Sequence, residues 1–283
     1  MGVRGLYHYC KKYLHNPNYD KKLRIGIDSS SLIYRFHGNF DKIYEFLQPI
    51  LQNKLLFVLE GKAPEYKSEE IIIRKQAKEV SNNRLQLLKK AYDDPTNFEA
   101  KDIIMKRIME LEKDSFSITY DTIQEFKKFL RNKDLKYVKS TCEADTVLID
   151  LYYANIIDTV LSNDMDYLVA GVKHMYVPRN NKIEELLLND ILEFEEINSE
   201  QLKEACILAG IDNDRIIVLD NIYQCISFIR HYGSIQSMIS YQPLLFTIPN
   251  EQYIINIKKR YYPNKDFRTY LKPEHKEIVY DFI

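Results

Sequence analysis

The stretch from Ser140 to Val169 constrains this chain more than any other. Glu143 and Asp145 open an apolar-periodic segment that reads as a helix, while Asp164 and Asp166 follow a β-branched run, Ile156 to Leu161, that reads as a strand. Four carboxylates therefore gather near a helix N-terminus and the carboxyl end of a strand. In an open α/β sheet ligands bind at that end of the strands, and like charges forced together call for a cation between them. Two earlier strands repeat the device: Leu23-Arg-Ile-Gly-Ile-Asp28 and Lys54-Leu-Leu-Phe-Val-Leu-Glu60 are apolar runs that end in an acid. Any one of these acids reads equally well as a solvated side chain or a helix cap. Their recurrence at strand ends does not.

The other segments alternate in the same way. A helix is expected over Tyr7 to Leu14, another over Ser29 to Phe36, and helical periodicity over Asp41 to Gln52. Polar, helical sequence then runs from Lys67 to Lys113, broken at Asp93-Asp-Pro-Thr-Asn97. Residues 62–90 hold eight Lys or Arg against four Glu, which suits either a solvated face or a substrate-facing arch. A helix over Ile118 to Asn132 leads to a strand, Leu135 to Val138, and a further short strand is His174 to Val177. Helices follow over Asn189–Glu196, Ser199–Gly210, Asp220–His231 and Ser234–Ser240, with a tyrosine-rich remainder of helical or irregular character. The fold class is α/β, a mostly parallel central sheet flanked by helices, with an inserted helical arch at about 65–117 and a helical C-terminal portion.

Bulk composition removes several classes. A net charge of −1 over 283 residues leaves any nucleic-acid surface to local patches. Cys10, Cys142, Cys206 and Cys225 lack CxxC spacing, which fits thiols used as core filler in a reducing setting. The six histidines show no ligand spacing for zinc. No apolar run approaches the roughly 18 residues that span a bilayer, and the start lacks a signal-peptide pattern, so an intracellular protein without a membrane partner is expected.

Six pieces in order resemble the flap endonuclease family, the structure-specific 5′ nucleases that include the 3′-side nuclease of nucleotide excision repair and bacterial and phage 5′ nucleases. They are Met1-Gly-Val-Arg-Gly-Leu6, Ile25-Gly-Ile-Asp28 with Tyr34, Phe57-Val-Leu-Glu-Gly-Lys-Ala-Pro64, Glu143-Ala-Asp145, Ser162-Asn-Asp-Met-Asp166 and Cys206-Ile-Leu-Ala-Gly-Ile-Asp212. The resemblance implies the PIN-like 5′ nuclease fold, with a nuclease core over 1–200 and a divergent helical DNA-binding portion over 201–283. It implies a site for two Mg²⁺ or Mn²⁺ on Asp28, Glu60, Glu143, Asp145, Asp164, Asp166 and Asp212, an all-oxygen donor set suited to those ions. Lys67 and Arg74 match the family's basic pair at the root of the arch, which faces the scissile phosphate. Gly2, Tyr34, Lys62, Lys75, Lys78 and Arg84 are expected to touch DNA, Tyr34 by stacking on a base; the competing reading of Tyr34 is a core tyrosine.

Four departures stand out. Glu60 replaces an aspartate, and Asp145 follows the bacterial and phage version. The segment from Tyr34 to Leu55 is shorter than in cellular flap endonucleases. The family's Gly-x-Gly hairpin, which binds duplex backbone and a potassium ion, falls on Leu219-Asp-Asn221, and Gln242 to Pro249 lacks the paired aromatics of a sliding-clamp motif. The resemblance thus implies a metal-dependent nuclease leaving 5′-phosphate and 3′-hydroxyl ends on branched, nicked or single-stranded DNA, in replication, repair or recombination. A 5′→3′ exonuclease on DNA or RNA, and a nucleic-acid-binding protein on a lapsed nuclease fold, stand as alternatives. The compact, AT-rich style fits a large DNA virus, hence a nuclear, cytoplasmic or viral replication site.

Overall fold

The computed structural model describes residues 3–19, 22–63, 67–94, 100–210 and 221–241, and within the C-terminal region 254–255, 258–259, 261–263 and 266–282. Among these residues seven strands form one sheet. They are β1 (Leu14–His15), β2 (Arg24–Asp28), β3 (Lys54–Leu59), β4 (Lys136–Lys139), β5 (Thr159–Leu161), β6 (His174–Arg179) and β7 (Lys182–Leu187), in the order β1-β7-β6-β5-β2-β3-β4. The five strands from β6 to β4 run parallel, and β7 alone among the seven opposes its neighbours. The mostly parallel sheet read from the sequence is therefore present.

Period-two alternation on buried strands explains the layering. In β3, Leu55, Phe57 and Leu59 face one core and Leu56 and Val58 the other. The first core is closed by α2 (Ser29–Arg35), α3 (Phe40–Leu47) and α6 (Tyr120–Asn132), through Leu32, Ile33, Ile43, Phe126 and Leu130. On the opposite face lie α1 (Leu6–Cys10), α7 (Ala144–Tyr153), α8 (Asp166–Val169), α9 (Leu188–Glu195), α10 (Ser199–Ala209), α11 (Ile222–Tyr232), α12 (Ile235–Tyr241) and α13 (Pro273–Tyr280). The later helices share this second core with α7, and Cys10, Cys206 and Cys225 lie buried in it as free thiols. Each fully buried Leu, Ile or Phe contributes about 1.5–3 kcal/mol, so the two faces hold the sheet firmly. At Gly26 of β2 a Cβ would meet the ends of the Leu148 and Ile157 side chains at 2.5 Å, so α7 packs closely on the strand there.

The arch is a hairpin of two long helices, α4 (Ser68–Asp93) and α5 (Lys101–Ser115), joined by the Lys89–Glu112 ion pair at 2.7 Å. Two local expectations need correction. The α-helix expected over Tyr7 to Leu14 ends at Cys10, continues as a 3₁₀ turn to Tyr13, and gives Leu14 to β1, which pairs with Leu186. The helix expected over Asp41 to Gln52 yields to a 3₁₀ turn at Gln48–Ile50, where Pro49 cannot donate to the α-helical ladder. Among the described residues no helix is long and apolar enough to cross a membrane.

Candidate active site

The carboxyl ends of β2, β3 and β5 and the N-terminus of α7 converge, and each delivers an acid. Asp28 ends β2 and caps α2, its Oδ1 accepting from the Ser31 amide at 3.1 Å and its Oδ2 from the Ser162 hydroxyl at 3.0 Å. Glu60 leaves β3 and reaches across to α7, where Oε1 accepts from the Ala144 amide at 3.0 Å and Oε2 from the Ser30 hydroxyl at 3.3 Å. Its longer side chain thus spans from one strand end to the next helix N-terminus. Glu143 is the N-cap residue of α7, and Asp145 sits in its first turn, where the helix dipole favours negative charge. Asp164 Oδ1 accepts from the Asp166 amide at 3.1 Å, which folds the 162–166 turn, and Asp166 is 9% exposed.

A backbone approach fixes the spacing. The Gly61 amide donates to the Cys142 carbonyl at 2.8 Å and the Lys62 amide to the Thr141 carbonyl at 3.2 Å, which brings the loop after β3 against the loop before α7. A Cβ at Gly61 would lie 2.4 Å from the Cys142 oxygen, so only glycine permits this contact and the nearness of Glu60 to Glu143 that follows from it.

Burial dominates the electrostatics. It pushes the Asp28 carboxyl up to about 6 against the hydrogen bonds from Ser31 and Ser162, and the Asp145 charge adds to it. Glu60 rises to about 7, through burial first and then the charges of Asp28, Asp145 and Glu143. Asp164 rises to about 6 by burial, with Asp145 and Asp28 adding to it. The phenol of Tyr167, buried beneath, is raised by burial and by Asp28, Asp145, Asp164 and Glu60 in turn. Burial and the neighbouring carboxylates thus raise the proton affinity of Asp28, Glu60 and Asp164, the signature of a centre that lacks positive charge.

Lys67 supplies one such charge: its ammonium donates to Glu143 Oε1 at 2.9 Å, and both side chains are mostly buried. Arg74 stands two turns further along α4, half-buried. Tyr34 is 46% exposed, which removes the reading of it as a core residue. The Lys78 ammonium lies 5.0 Å from its ring centre and 3.1 Å from the Ser117 hydroxyl, tying α4 to α2. Lys62 lies exposed beside the acids, while Lys75 and Arg84 lie on the open face of the arch. Gly2, Asp212, Leu219, Asp220 and the 242–249 segment fall outside the described residues; Asn221 caps α11 through its side chain, which accepts from the Tyr223 amide at 2.8 Å.

Ser30, Ser31 and Ser162 were missed by sequence reasoning, although their hydroxyls and amide orient the acids. Their place within two or three residues of Asp28 and Asp164 is the signal that could have marked them. As a metal centre the donor chemistry fits: the donors are all carboxylate oxygens, buried and short of positive charge, and one already recruits a lysine. Among the described residues, however, no three His, Cys, Asp or Glu side chains are grouped so that they could hold a metal ion as they stand.

Residues 134–212 match the XPG I-region family. Flap endonuclease 1 of Entamoeba histolytica is 25% identical over 284 residues, covering 88% of this chain and 72% of that protein. Flap endonuclease 1-A of Oryza sativa subsp. japonica is 26% identical, covering 84% and 69%. In fold, the catalytic core of Rad2 in complex with DNA substrate superposes with a TM-score of 0.68 at 16% identity, over 99% of this chain and 94% of that one. The flap endonuclease-1 from Methanococcus jannaschii gives 0.57 at 17% identity, over 95% and 89%. The likeness runs through nearly the whole chain, which is similar in sequence to flap endonucleases and in fold to the catalytic core of Rad2.

Proposed function

We propose that this chain is a divalent-metal-dependent, structure-specific 5′ nuclease that hydrolyses phosphodiesters near free or branched 5′ ends of DNA. The observation that carries the reading is the convergence of Asp28, Glu60 and Asp164, whose proton affinity burial and their neighbours raise, with Glu143 and Asp145 at the α7 N-terminus. Together with Asp166 and Asp212 they would hold two Mg²⁺ or Mn²⁺. Bound there, such ions would supply acidification of a water and charge neutralisation at the scissile phosphate.

The chain's own side chains do the rest. Ser31 and Ser162 keep Asp28 oriented, and Ala144 with Ser30 keeps Glu60 oriented, so their oxygens need little reorganisation. Lys67 leaves Glu143 for the phosphate as charge develops there, with Arg74 on the same stretch of α4. Tyr34, exposed at the foot of the arch, offers its ring to a terminal base. The exposed lysines of the arch draw the single strand toward it.

The test is cleavage of flap, nicked, gapped and single-stranded DNA, labelled at either end, with matched RNA, in Mg²⁺, Mn²⁺ and chelator. Cutting that needs metal and leaves 5′-phosphates supports the reading. Asp164→Ala should lower cleavage by more than roughly a hundredfold while DNA binding persists, since even an outer-sphere partner of a metal ligand is worth 10–100-fold. Retained cleavage would remove Asp164 from the centre.

A further inference from the structure

The loop that delivers Glu143 to the N-terminus of α7 is held from both sides. On one side it lies against the end of β3 and the turn after it: the Ser140 amide donates to the Leu59 carbonyl at 3.0 Å, the Lys62 amide to the Thr141 carbonyl at 3.2 Å and the Gly61 amide to the Cys142 carbonyl at 2.8 Å. On the other side it meets the C-terminal region, 129 residues further along the chain. The Tyr270 carbonyl accepts from the Thr141 amide at 2.8 Å and from the Thr141 hydroxyl at 3.2 Å, so one threonine engages that oxygen twice. Beside it, Ser140 and Leu271 form an antiparallel bridge.

The segment that reaches the loop has its own reasons to stay in place. It is a 3₁₀ turn, Phe267–Tyr270, followed by Leu271. Asp266 caps the turn, its Oδ1 accepting from the Arg268 amide at 3.2 Å and from the Arg268 guanidinium at 2.6 Å, while its carbonyl accepts from the Thr269 hydroxyl at 2.8 Å. Phe267 and Leu271, one at each end, are 8% and 4% exposed and lie in the same core as Val147 and Leu148 of α7. The turn packs on α7 itself. Beyond Leu271, α13 packs on β4, and the Lys136 ammonium donates to the Asp281 carbonyl at 3.0 Å, which fastens the far end.

We propose that the segment Asp266–Leu271 is a strap that positions Glu143 and Asp145, with Leu271 and the Thr141 hydroxyl as positioning residues. Bonds between two loops open readily when nothing braces them. A brace anchored on α7 and bonded to the loop before it makes loop and helix one body. Glu143 and Asp145 then keep their place relative to Glu60, whose carboxylate accepts from the Ala144 amide at 3.0 Å across the same joint. The inference rests on the nuclease reading for what the acids do, but not for the strap itself.

The test is hydrogen–deuterium exchange on the full, metal-free chain, comparing wild type with Leu271→Ala, Thr141→Val and, as a control, Ile229→Ala at a fully buried position of α11. Leu271→Ala should speed exchange of the Gly61 and Lys62 amides by roughly tenfold or more, although both lie on the far side of the loop from the substitution. Thr141→Val should speed the same amides by a smaller factor, and the volume-conserving Leu271→Met should restore them. Ile229→Ala also opens a cavity and lowers the melting temperature, yet should leave them at the wild-type rate. On DNA, turnover of Leu271→Ala should fall roughly tenfold or more with affinity unchanged, because the acids are misplaced and not lost. Unchanged exchange at Gly61 and Lys62, equal acceleration by Ile229→Ala, or wild-type turnover despite faster exchange would overturn the proposal. Should Leu271→Ala fail to fold, Thr141→Val carries the same readouts. Wild-type protein that failed to cut would count against the nuclease reading, and the exchange comparison would still decide the strap.

Discussion

At the scale of single residues, Gly61 shows how a position with no chemistry of its own sets the chemistry of others. Its missing side chain lets the loop after β3 lie on the Thr141 and Cys142 backbone, and Glu60 and Glu143 stand on the two sides of that contact. Backbone cannot swing aside as a side-chain end can, so Gly61→Ala must move one acid relative to the other. We expect about 1–3 kcal/mol of lost stability, the usual cost of overpacking, and at least a roughly tenfold fall in turnover with DNA affinity little changed. A melting curve and single-turnover kinetics read both. An alanine variant that cuts at the wild-type rate would show that Gly61 does not set the spacing. Asp28 and Glu60 were legible in the sequence because each follows or ends an apolar strand, and Glu143 because it opens an apolar-periodic helix. The need for glycine beside them was not, since it arises from a loop 80 residues away.

At the scale of elements, long or strongly patterned segments could be read and short ones could not. The arch helices were legible from composition and the Asp-Pro break, and they occupy Ser68–Asp93 and Lys101–Ser115. By contrast β7, Lys182-Ile-Glu-Glu-Leu-Leu187, has adjacent charges in place of clean alternation, and it was missed because its partner β6 and the two-residue β1 supply its order. The same tertiary pairing took Leu14 out of a helix that its own periodicity favoured. The arch also carries its ties visibly: Lys78 of α4 sits over Tyr34 of α2, and Phe116, just after α5, meets the same ring edge-on at 5.9 Å. If that exposed ring stacks on a terminal base, Tyr34→Ala should weaken binding of DNA with a single-stranded 5′ end by about 1–3 kcal/mol. Blunt duplex should bind as before. An equal loss on both, measured by anisotropy, would make Tyr34 a brace for the arch and not a contact.

At the scale of the whole molecule, the acids of the proposed metal centre bear on stability. Asp28, Glu60 and Asp164 come from three neighbouring strands, so their repulsion acts on the joint at the centre of the sheet. Their folded-state proton affinities lie above the ordinary carboxylate range, near 6, 7 and 6. Folding therefore favours the protonated form. That contribution is fully present below about pH 4, where the unfolded carboxyls also hold protons, and it is lost as pH rises through 6 to 7. Metal-free protein should accordingly melt lower at pH 8 than at pH 5.5, opposite to the trend set by ordinary ion-paired acids such as Asp158, which Arg24 holds below its usual range. Mg²⁺ must bind the ionised form, so it competes with protons and stabilises only the folded state. Its addition should raise the melting temperature clearly at pH 8 and little at pH 5.5. Differential scanning fluorimetry across that pH range, with chelator and with Mg²⁺, measures both trends. A Mg²⁺ shift independent of pH would mean that these acids are not where the ion binds.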